Sequence, residues 1–245
     1  MNKLIKKIFQ KVKEDHPYCS AIVPAAGSSR RMGGENKLLL NVGGMPVLVR
    51  TLLALDRARL VDEIVIATRE EDLLLIVDLC KQFGISKPVK IVRGGDSRQG
   101  SVLAAALECN AEGRFIAVHD GARPLATPEL IDSVIALAHK TNAAAPGVPV
   151  KDTIKVVRDG KVVSTPDRDT LRAIQTPQVF DAQLLRAALQ SAVENGAAVT
   201  DDCSAVELLG KEVYLIDGSY ENIKITTPED IAQAEEILRG RDGMQ

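Results

Sequence analysis

The alternation of apolar and polar positions after residue 18 divides the chain into short strand-like runs and longer helical segments. Four runs are rich in β-branched residues and have the length of strands: SAIVPA (20–25), EIVIAT (63–68), VKIVR (89–93) and FIAVH (115–119). The segments between them carry apolar residues at helical spacing: PVLVRTLLALDRA, EDLLLIVDLCKQFG and SRQGSVLAAALECN. This alternation predicts an α/β fold with a mostly parallel sheet and helices on both of its faces.

Two further helices are marked by their first residues. Thr127 is a suitable N-cap, and Pro128 stands at the first helical position, where its missing N–H costs no hydrogen bond. Thr227 and Pro228 repeat this pair before the last helix.

Residues 143–168 interrupt the alternation of strands and helices. The runs DTIKVV and KVVSTP are joined by Arg158, Asp159 and Gly160, and Asp-Gly is a strong hairpin signal. We therefore predict a β-arm over about 148–170. A two-stranded ribbon is marginally stable alone, so the arm either folds over the active site or reaches a second subunit. With no internal repeat or linker, residues 19–241 are predicted to form one domain.

The first eighteen residues are predicted to form a basic amphipathic extension. In MNKLIKKIFQKVK, apolar residues recur at helical spacing and five lysines occupy the other faces. Contact with a membrane surface is one interpretation; a helix that caps the domain, or a solvated extension, is the one we favour. No apolar run approaches the roughly 18 residues of a membrane span.

The composition excludes several classes of function. The chain has 31 Lys and Arg against 33 Asp and Glu, and this balance is unlike that of proteins that coat nucleic acid. Aromatic residues make up only 3%, so a bound base must be recognised by backbone and small polar groups. The four cysteines have no paired spacing, which predicts neither a zinc site nor disulfides and indicates a cytoplasmic protein.

The loop after the first strand is suited to a polyphosphate. Its glycines allow close backbone approach, its serines offer hydroxyl and amide groups, and Arg30, Arg31 and Lys37 supply positive charge. The glycine spacing fits neither the P-loop nor the dinucleotide fingerprint, which argues against a P-loop kinase and a Rossmann dehydrogenase. A solvated basic turn is the alternative interpretation of this segment.

Two later loops add polar groups at strand ends, where ligands bind in open α/β sheets. In RGGDSRQGSV, either Asp96 or Ser97 caps the next helix, and Ser101 is expected to point into the site. In VHDGARP, Asp120 is placed to bind a metal or ribose hydroxyls. His119 is a candidate general base, but no nucleophile is paired with it, so we favour a structural role.

Read in order, the motifs of this chain resemble one family nearly end to end. They are PAAGSSRRMG, GGDSRQGSV, VHDGARP, VKDTIK, QTPQVF, TDDCSAVE and NIKITTPEDI. Over roughly residues 20–240 the chain resembles the 2-C-methyl-D-erythritol 4-phosphate cytidylyltransferases. The resemblance implies a Rossmann-like nucleotidyltransferase fold, with a mostly parallel mixed sheet and a protruding β-arm. It also implies transfer of CMP from CTP to methylerythritol phosphate in the non-mevalonate isoprenoid route, Mg²⁺ as the cofactor, and a homodimer whose arms help to build the partner's active site.

The resemblance assigns roles to individual residues. The implied catalytic residues are Arg31, Lys37, Arg168 and Lys224. Cytosine, ribose and phosphates of CTP would be bound by Pro24, Ala25, Ala26, Gly27, Gly95, Asp96, Ser101, Asp120 and Gly121. The substrate phosphate would be held by Arg123, Thr153, Arg168, Thr176 and Lys224, with Thr153 and Arg168 coming from the arm. Asp120 is the implied metal ligand.

Three departures from the family pattern and three rival functions remain. Asn36 and Leu38 flank Lys37 where many members have Pro and Gln, Gly121 stands where Ala is frequent, and the N-terminal extension is unusual.

The nearest rival is a ribitol 5-phosphate cytidylyltransferase. A guanylyl- or sugar-nucleotide transferase would leave the arm motifs unexplained. A non-catalytic nucleotide-binding regulator would be favoured by loss of Arg31, Lys37 or Lys224, all of which are present.

Overall fold

An eight-stranded mixed sheet forms the centre of the computed structural model, which describes residues 16–27 and 36–242. The strands are β1 (Cys19–Pro24), β2 (Asn41–Val42), β3 (Met45–Pro46), β4 (Glu63–Thr68), β5 (Val89–Arg93), β6 (Phe115–Val118), β7 (Ala143–Pro149), β8 (Val156–Arg158), β9 (Lys161–Ser164), β10 (Arg172–Ile174), β11 (Gln178–Asp181) and β12 (Tyr214–Asp217). The helices are α1 (Val47–Arg57), α2 (Leu73–Gln82), α3 (Arg98–Glu108), α4 (Pro128–Thr141), α5 (Ala182–Glu194), α6 (Asp202–Leu208) and α7 (Pro228–Asp242). The structure therefore confirms the α/β class.

One half of the sheet is parallel, as the sequence pattern predicts. β6, β1, β4 and β5 lie side by side in that order, and each neighbouring pair is parallel. All six residues of β4 are buried, which fits the unbroken apolar run of a strand covered on both faces. The carboxyl ends of these strands meet at one edge of the sheet.

The other half of the sheet is mixed, and the sequence pattern did not predict it. β11 lies between β6 and β7 and is antiparallel to both. β7 is built from Ala, Pro, Gly and Val rather than from β-branched residues, yet six of its seven residues are buried. Small side chains suit a strand that helices cover closely, but they give little strand signal in the sequence. β10 and β12 also pair with β7.

Alternate residues of the central strands point to two separate cores. Ala21 and Val23 of β1 belong to the core that α1 and α4 cover, together with Ile131. Ile22 points to the opposite face and packs in the core that α3, α5 and α6 cover, together with Leu185. Because strand side chains alternate between the faces, this arrangement places helices on both sides of the sheet.

The predicted cap at Thr127 and the predicted hairpin are present. The hydroxyl oxygen of Thr127 accepts a hydrogen bond from the Leu130 N–H, and Pro128 begins α4. β8 and β9 pair as a hairpin whose turn residues, Asp159 and Gly160, both have positive φ. The arm leaves the sheet after β7 and returns at β10, close to the predicted limits of about 148–170.

Some of the predictions concern residues that the structure does not describe. Residues 1–15, which hold most of the proposed amphipathic extension of residues 1–18, lie outside the described residues. Within the described part, every helix is too short or too polar to cross a bilayer. All four cysteines are buried and free, which confirms that they are small core residues.

Candidate active site

A cleft of about 430 Å³ lies at the carboxyl ends of β1, β5 and β6. The described residues that line it are Pro24, Ala25, Ala26, Gly27, Lys37, Leu38, Gly95, Asp96, Ser97, Arg98, Ser101, Asp120, Gly121, Ala122 and Lys224. The cleft thus gathers the loops that follow three parallel strands, which is where ligands bind in this class of sheet. Eleven of the sequence-predicted site residues are on its wall.

The wall beside β5 requires glycine because two backbones meet there. A Cβ atom on Gly95 would lie 2.9 Å from the carbonyl carbon of Gly100, and one on Gly94 would lie 2.8 Å from the Cβ of Ala26. The Ser97 hydroxyl accepts a hydrogen bond from the Gly100 N–H, so Ser97 rather than Asp96 is the N-cap of α3. These contacts hold the loop closely against the start of α3 in the cleft wall.

The Asp120 carboxylate is the electrostatic centre of the cleft. Burial opposes its ionisation, but Lys224, Arg98 and Arg123 more than compensate and lower the pKa of Asp120 below its usual value. The Lys224 Nζ lies 2.7 Å from Oδ2, and the Arg98 Nη2 lies 3.7 Å from Oδ1. The Arg123 Nε lies 3.7 Å from Oδ2. Asp120 therefore remains an anion that draws three cations: Arg123 from its own loop, and Arg98 and Lys224 from two other segments.

Arg98 is held in the cleft wall by a second, fully buried carboxylate. Its guanidinium makes a two-pronged ion pair with Asp202, with Nη1–Oδ1 at 3.0 Å and Nη2–Oδ2 at 2.6 Å. The side-chain carbonyl of Gln178 accepts hydrogen bonds from the Asp202 and Cys203 N–H groups. Burial raises the pKa of Asp202 although Arg98 opposes this, and breaking such a pair would leave an uncompensated charge.

The two cleft lysines are positioned by one irregular segment after β12. The Lys37 Nζ donates a hydrogen bond of 2.7 Å to the Ile225 carbonyl, and the Ile225 N–H donates to the Ala122 carbonyl. Lys224 lies in this same segment. Residues 222–226, which include Lys224, form no strand, and the Ile225 N–H bonds to a loop instead of a sheet edge. Both ammonium groups nevertheless reach the cleft.

Arg123 and Thr176 lie close to the cleft but are not among the described residues that line it. The Arg123 Nη1 donates a 2.6 Å hydrogen bond to the Asn222 carbonyl, and burial lowers the pKa of Arg123 although Asp120 opposes this. Thr176 is 4% exposed, and its hydroxyl oxygen accepts a hydrogen bond from the Asp120 N–H.

The remaining predicted residues are elsewhere. Thr153 and Arg168 are exposed on the arm, and the Arg168 guanidinium donates to the Lys151 carbonyl of the same chain. Arg31 lies outside the described residues. A single chain thus brings together the predicted nucleotide residues but does not place the arm residues in its own cleft.

Sequence reasoning missed the Arg98–Asp202 pair. Both residues lie in recognised motifs, GGDSRQGSV and TDDCSAVE, but they are separated by about a hundred positions in the chain. The motif TDDCSAVE could have indicated this pair. Two adjacent acidic residues before an apolar helix are unusual in a buried segment, and a buried carboxylate needs a cation as its partner.

Residues 19–240 match the family model of 2-C-methyl-D-erythritol 4-phosphate cytidylyltransferase. The chain belongs to this family. The protein of that name from Bacillus cereus is 43% identical over 218 residues, which are 89% of this chain and 96% of the relative. The one from Caldanaerobacter subterraneus is 45% identical over 223 residues, covering 90% of this chain and 98% of the relative.

Solved structures of the cytidylyltransferase family share the fold. The 4-diphosphocytidyl-2C-methyl-D-erythritol synthase from Anaerococcus prevotii superposes with a TM-score of 0.84 at 33% identity, covering 93% of this chain and 99% of the other. The 2-C-methyl-D-erythritol 4-phosphate cytidylyltransferase from Thermus thermophilus gives 0.73 at 30% identity, with coverage of 91% and 99%. The predicted Rossmann-like nucleotidyltransferase fold is thereby confirmed.

His119 gives a prediction for the pH dependence of stability. Burial lowers its pKa from 6.5 to about 4. Between these values the unfolded chain binds a proton that the folded chain does not, so stability is lost as the pH falls through this window. This group alone should reduce the free energy of unfolding by about 3 kcal/mol. Urea unfolding from pH 7 to pH 4 should show a smaller decline for His119→Asn, and equal declines would contradict the assignment.

Proposed function

We propose that this cleft transfers CMP from CTP to 2-C-methyl-D-erythritol 4-phosphate, releasing pyrophosphate and giving 4-diphosphocytidyl-2-C-methyl-D-erythritol. The observation that carries the proposal is the convergence of Lys37, Lys224 and Asp120 on a cleft walled by glycine-rich backbone, in a member of this family. Two phosphorylated substrates repel each other, and lysines reaching one cleft from two segments offset that repulsion.

The reaction needs no general base from the protein. An oxygen of the substrate's phosphate monoester attacks the α-phosphorus of CTP, the bond from that phosphorus to the bridging oxygen breaks, and pyrophosphate leaves with the electron pair. The attacking phosphate is already an anion. His119, the sequence candidate for a base, is fully buried, and burial keeps its imidazole neutral with a pKa of about 4. Catalysis is therefore positioning and charge stabilisation.

Cytosine and ribose are recognised mainly by the backbone. The residues around Ala25, Gly27 and Gly95 bring main-chain amide and carbonyl groups to the cleft, and no aromatic side chain is among the described residues of its wall. Ser101 is buried at the same wall, and its hydroxyl donates either to the Gly95 or to the Ser97 carbonyl. This fits a chain with 3% aromatic residues, which cannot rely on stacking.

Asp120 fits a role as protein ligand of Mg²⁺. Within residues 16–27 and 36–242, no cluster of three or more His, Cys, Asp or Glu side chains could hold a metal alone. Mg²⁺ is commonly bound by one or two carboxylates together with substrate phosphates, and Asp120 is an ionised carboxylate on the cleft wall. When bound there, the ion would neutralise charge on the triphosphate. Asp120 would orient it, and Lys224 would supply the neighbouring positive charge.

The arm is proposed to complete the site of a second subunit. Four of its valines are exposed by 41–61%, at positions 156, 157, 162 and 163. An isolated ribbon with exposed apolar side chains is stabilised when a partner covers it. Thr153 and Arg168 are on this arm, so an exchange of arms between two subunits would bring them to the partner's cleft. The four buried free cysteines favour the reducing cytoplasm as the compartment.

Pyrophosphate release separates this function from its rivals. With Mg²⁺ present, each of CTP, GTP, ATP and UTP is combined with methylerythritol phosphate or with ribitol 5-phosphate. We expect release with CTP and methylerythritol phosphate at least about tenfold faster than with any other pair, since pocket contacts discriminate by factors of this size. Release with ribitol 5-phosphate alone would overturn the proposal, and release with no pair would favour a non-catalytic regulator.

Lys37 should be required for turnover. Lys37→Ala removes a positioned cation from the phosphate end of the cleft, and kcat should fall by about 10²-fold or more, by analogy with the loss of one preorganised donor. Lys211→Ala is the matched control because Lys211 is exposed and far from the cleft. A Lys37→Ala protein with wild-type turnover would contradict the role.

Mixed dimers test the exchange of arms. Lys37→Ala and Arg168→Ala chains are each expected to be poorly active as homodimers. Refolded together in equal amounts, they should recover about a quarter of wild-type activity, because half of the dimers are mixed and each mixed dimer has one intact site. If Arg168 served its own chain, mixing would restore nothing. A monomeric protein in gel filtration would also contradict the exchange.

A further inference from the structure

Lys37 lies in a tight turn that begins at Asn36, one of the positions that depart from the family pattern. The Leu39 N–H donates to the Asn36 carbonyl at 2.9 Å, and the Leu38 N–H donates to the side-chain oxygen Oδ1 of Asn36 at 3.2 Å. The Leu38 side chain is buried, and its carbonyl accepts from the Leu48 N–H in the first turn of α1. The backbone on both sides of Lys37 is therefore held in place.

The amide nitrogen of the Asn36 side chain reaches the loop that follows β4. Nδ2 donates to Oδ2 of Asp72 at 3.2 Å. Asp72 is 8% exposed, and Arg69 donates to the same oxygen from Nε at 2.9 Å and from Nη2 at 2.6 Å. Arg69 directly follows β4, whose six residues are all buried. Asp72 is thus an acceptor that is fixed to the central sheet.

The loop after β4 differs from those after β1, β5 and β6. β4 lies between β1 and β5 and is parallel to both, so its loop leaves the sheet at the same edge. Among the described residues that line the cleft, however, none comes from residues 69–72. The bond from Asp72 to Asn36 connects this loop to the cleft, because Asn36 directly precedes Lys37.

An asparagine side chain suits both bonds at position 36. Its carbonyl oxygen can only accept and its NH₂ group can only donate, so Oδ1 faces the Leu38 N–H and Nδ2 faces the Asp72 carboxylate. Aspartate has the same shape and could accept from Leu38, but it could not donate to Asp72, and the two carboxylates would repel each other. Alanine would make neither bond.

We infer that Asn36 and Asp72 are positioning residues, which fix the backbone of Lys37 and thereby the point from which its ammonium group reaches the cleft. The far end of the same side chain is held by the Ile225 carbonyl, at 2.7 Å from Nζ. Neither Asn36 nor Asp72 lines the cleft. The inference rests on the proposed cytidylyl transfer for its kinetic consequence, whereas the hold on the Lys37 backbone is independent of any activity.

Two substitutions at position 36 test this role. Asn36→Ala and Asn36→Asp should each lower kcat per folded enzyme by about tenfold, because a reacting group that is misplaced by even a small distance loses rate. The loss should be smaller than that of Lys37→Ala, since the lysine is loosened and not removed. Asn36→Asp keeps the bond from Leu38, so its loss reports on the bond to Asp72. Wild-type kcat in both variants would overturn the inference.

Exchange of the two side chains should rescue the defect. In Asn36→Asp combined with Asp72→Asn, the amide and the carboxylate change places, so the amide now donates from position 72 to the carboxylate at position 36. The oxygen of the new amide remains available to Arg69. We expect kcat to return to within about threefold of wild type, which is the coupling expected of two residues in contact. A double variant at least as slow as Asn36→Asp alone would contradict the bond.

The Lys37→Ala background tests whether Asn36 acts through Lys37. Once the ammonium group is gone there is nothing left to position, so adding Asn36→Ala should lower kcat by less than about threefold more. A further loss of about tenfold, equal to the loss that Asn36→Ala causes in the wild-type protein, would show that Asn36 contributes independently of Lys37. That result would overturn the inference.

Glu71→Gln is the matched control. Glu71 is exposed, and its Oε1 lies 3.2 Å from Nη1 of Arg69, so it contacts the same guanidinium as Asp72. This variant should keep wild-type kcat and KM. All rates are measured well below the melting temperature of each variant. If the substitutions at position 36 lower the melting temperature but leave kcat per folded enzyme unchanged, the two residues are merely structural and the inference is wrong.

Nitrogen-15 relaxation of the backbone tests the positioning without any substrate. We expect an order parameter of about 0.85 for the Lys37 amide in the wild-type protein and in the exchanged variant, and a fall towards about 0.6 in Asn36→Ala and Asn36→Asp. A rigid Lys37 amide in Asn36→Ala, or a mobile one in the wild type, would overturn the inference even if the enzyme is active. The expected values in a protein that releases no pyrophosphate would support the positioning while the proposed function fails.

Discussion

Burial of a single carboxylate organises this cleft. Asp120 is 8% exposed at the end of β6, where an unpaired charge would be costly, and its ionisation is sustained by cations from three other positions in the chain. Lys224 comes from the segment after β12, and Arg98 comes from the first turn of α3. The requirement to compensate this one charge therefore joins distant segments at the place where the phosphates are proposed to bind.

Arg98 connects Asp120 to a second buried carboxylate, Asp202, which lies behind the cleft wall. Its ion pair with Asp202 fixes the guanidinium against α6, so the cation that faces Asp120 has little freedom to move. Gln178 of β11 accepts from the backbone at the start of α6 and so couples this helix to the antiparallel strand. The cleft is thus supported from both halves of the sheet, although its lining comes mainly from the parallel half.

The parallel half of the fold could be predicted from the sequence because its strands are β-branched and its helices are amphipathic. β4 and β5 were predicted with their observed limits. β7 could not be predicted in this way, because its alanines and glycine carry no strand preference, and its burial results from the helices that cover it. β11 forms a strand because it pairs with β6 and β7. Such pairing between segments distant in sequence cannot be recognised from the local pattern of apolar residues.

The candidate site shows the same division. Residues in the loops after β1, β5 and β6 were predictable because strand ends in such sheets converge, and Gly95, Ser101 and Asp120 do line one cleft. The irregular backbone at Lys224 and the partnership of Arg98 with Asp202 were not predictable, since each depends on contacts between residues far apart in sequence. The resemblance of motifs identified these positions, but only the structure shows which of them touch.

The place of β11 between β6 and β7 has a consequence for synthesis on the ribosome. Until residue 181 has emerged, β6 is an open edge of the nascent sheet with unsatisfied N–H and C=O groups, and such edges invite pairing with other chains. Lys224 emerges later still. The nascent protein therefore carries an unpaired sheet edge while residues 119–181 are being made, and the cleft cannot be assembled before nearly the whole chain is available.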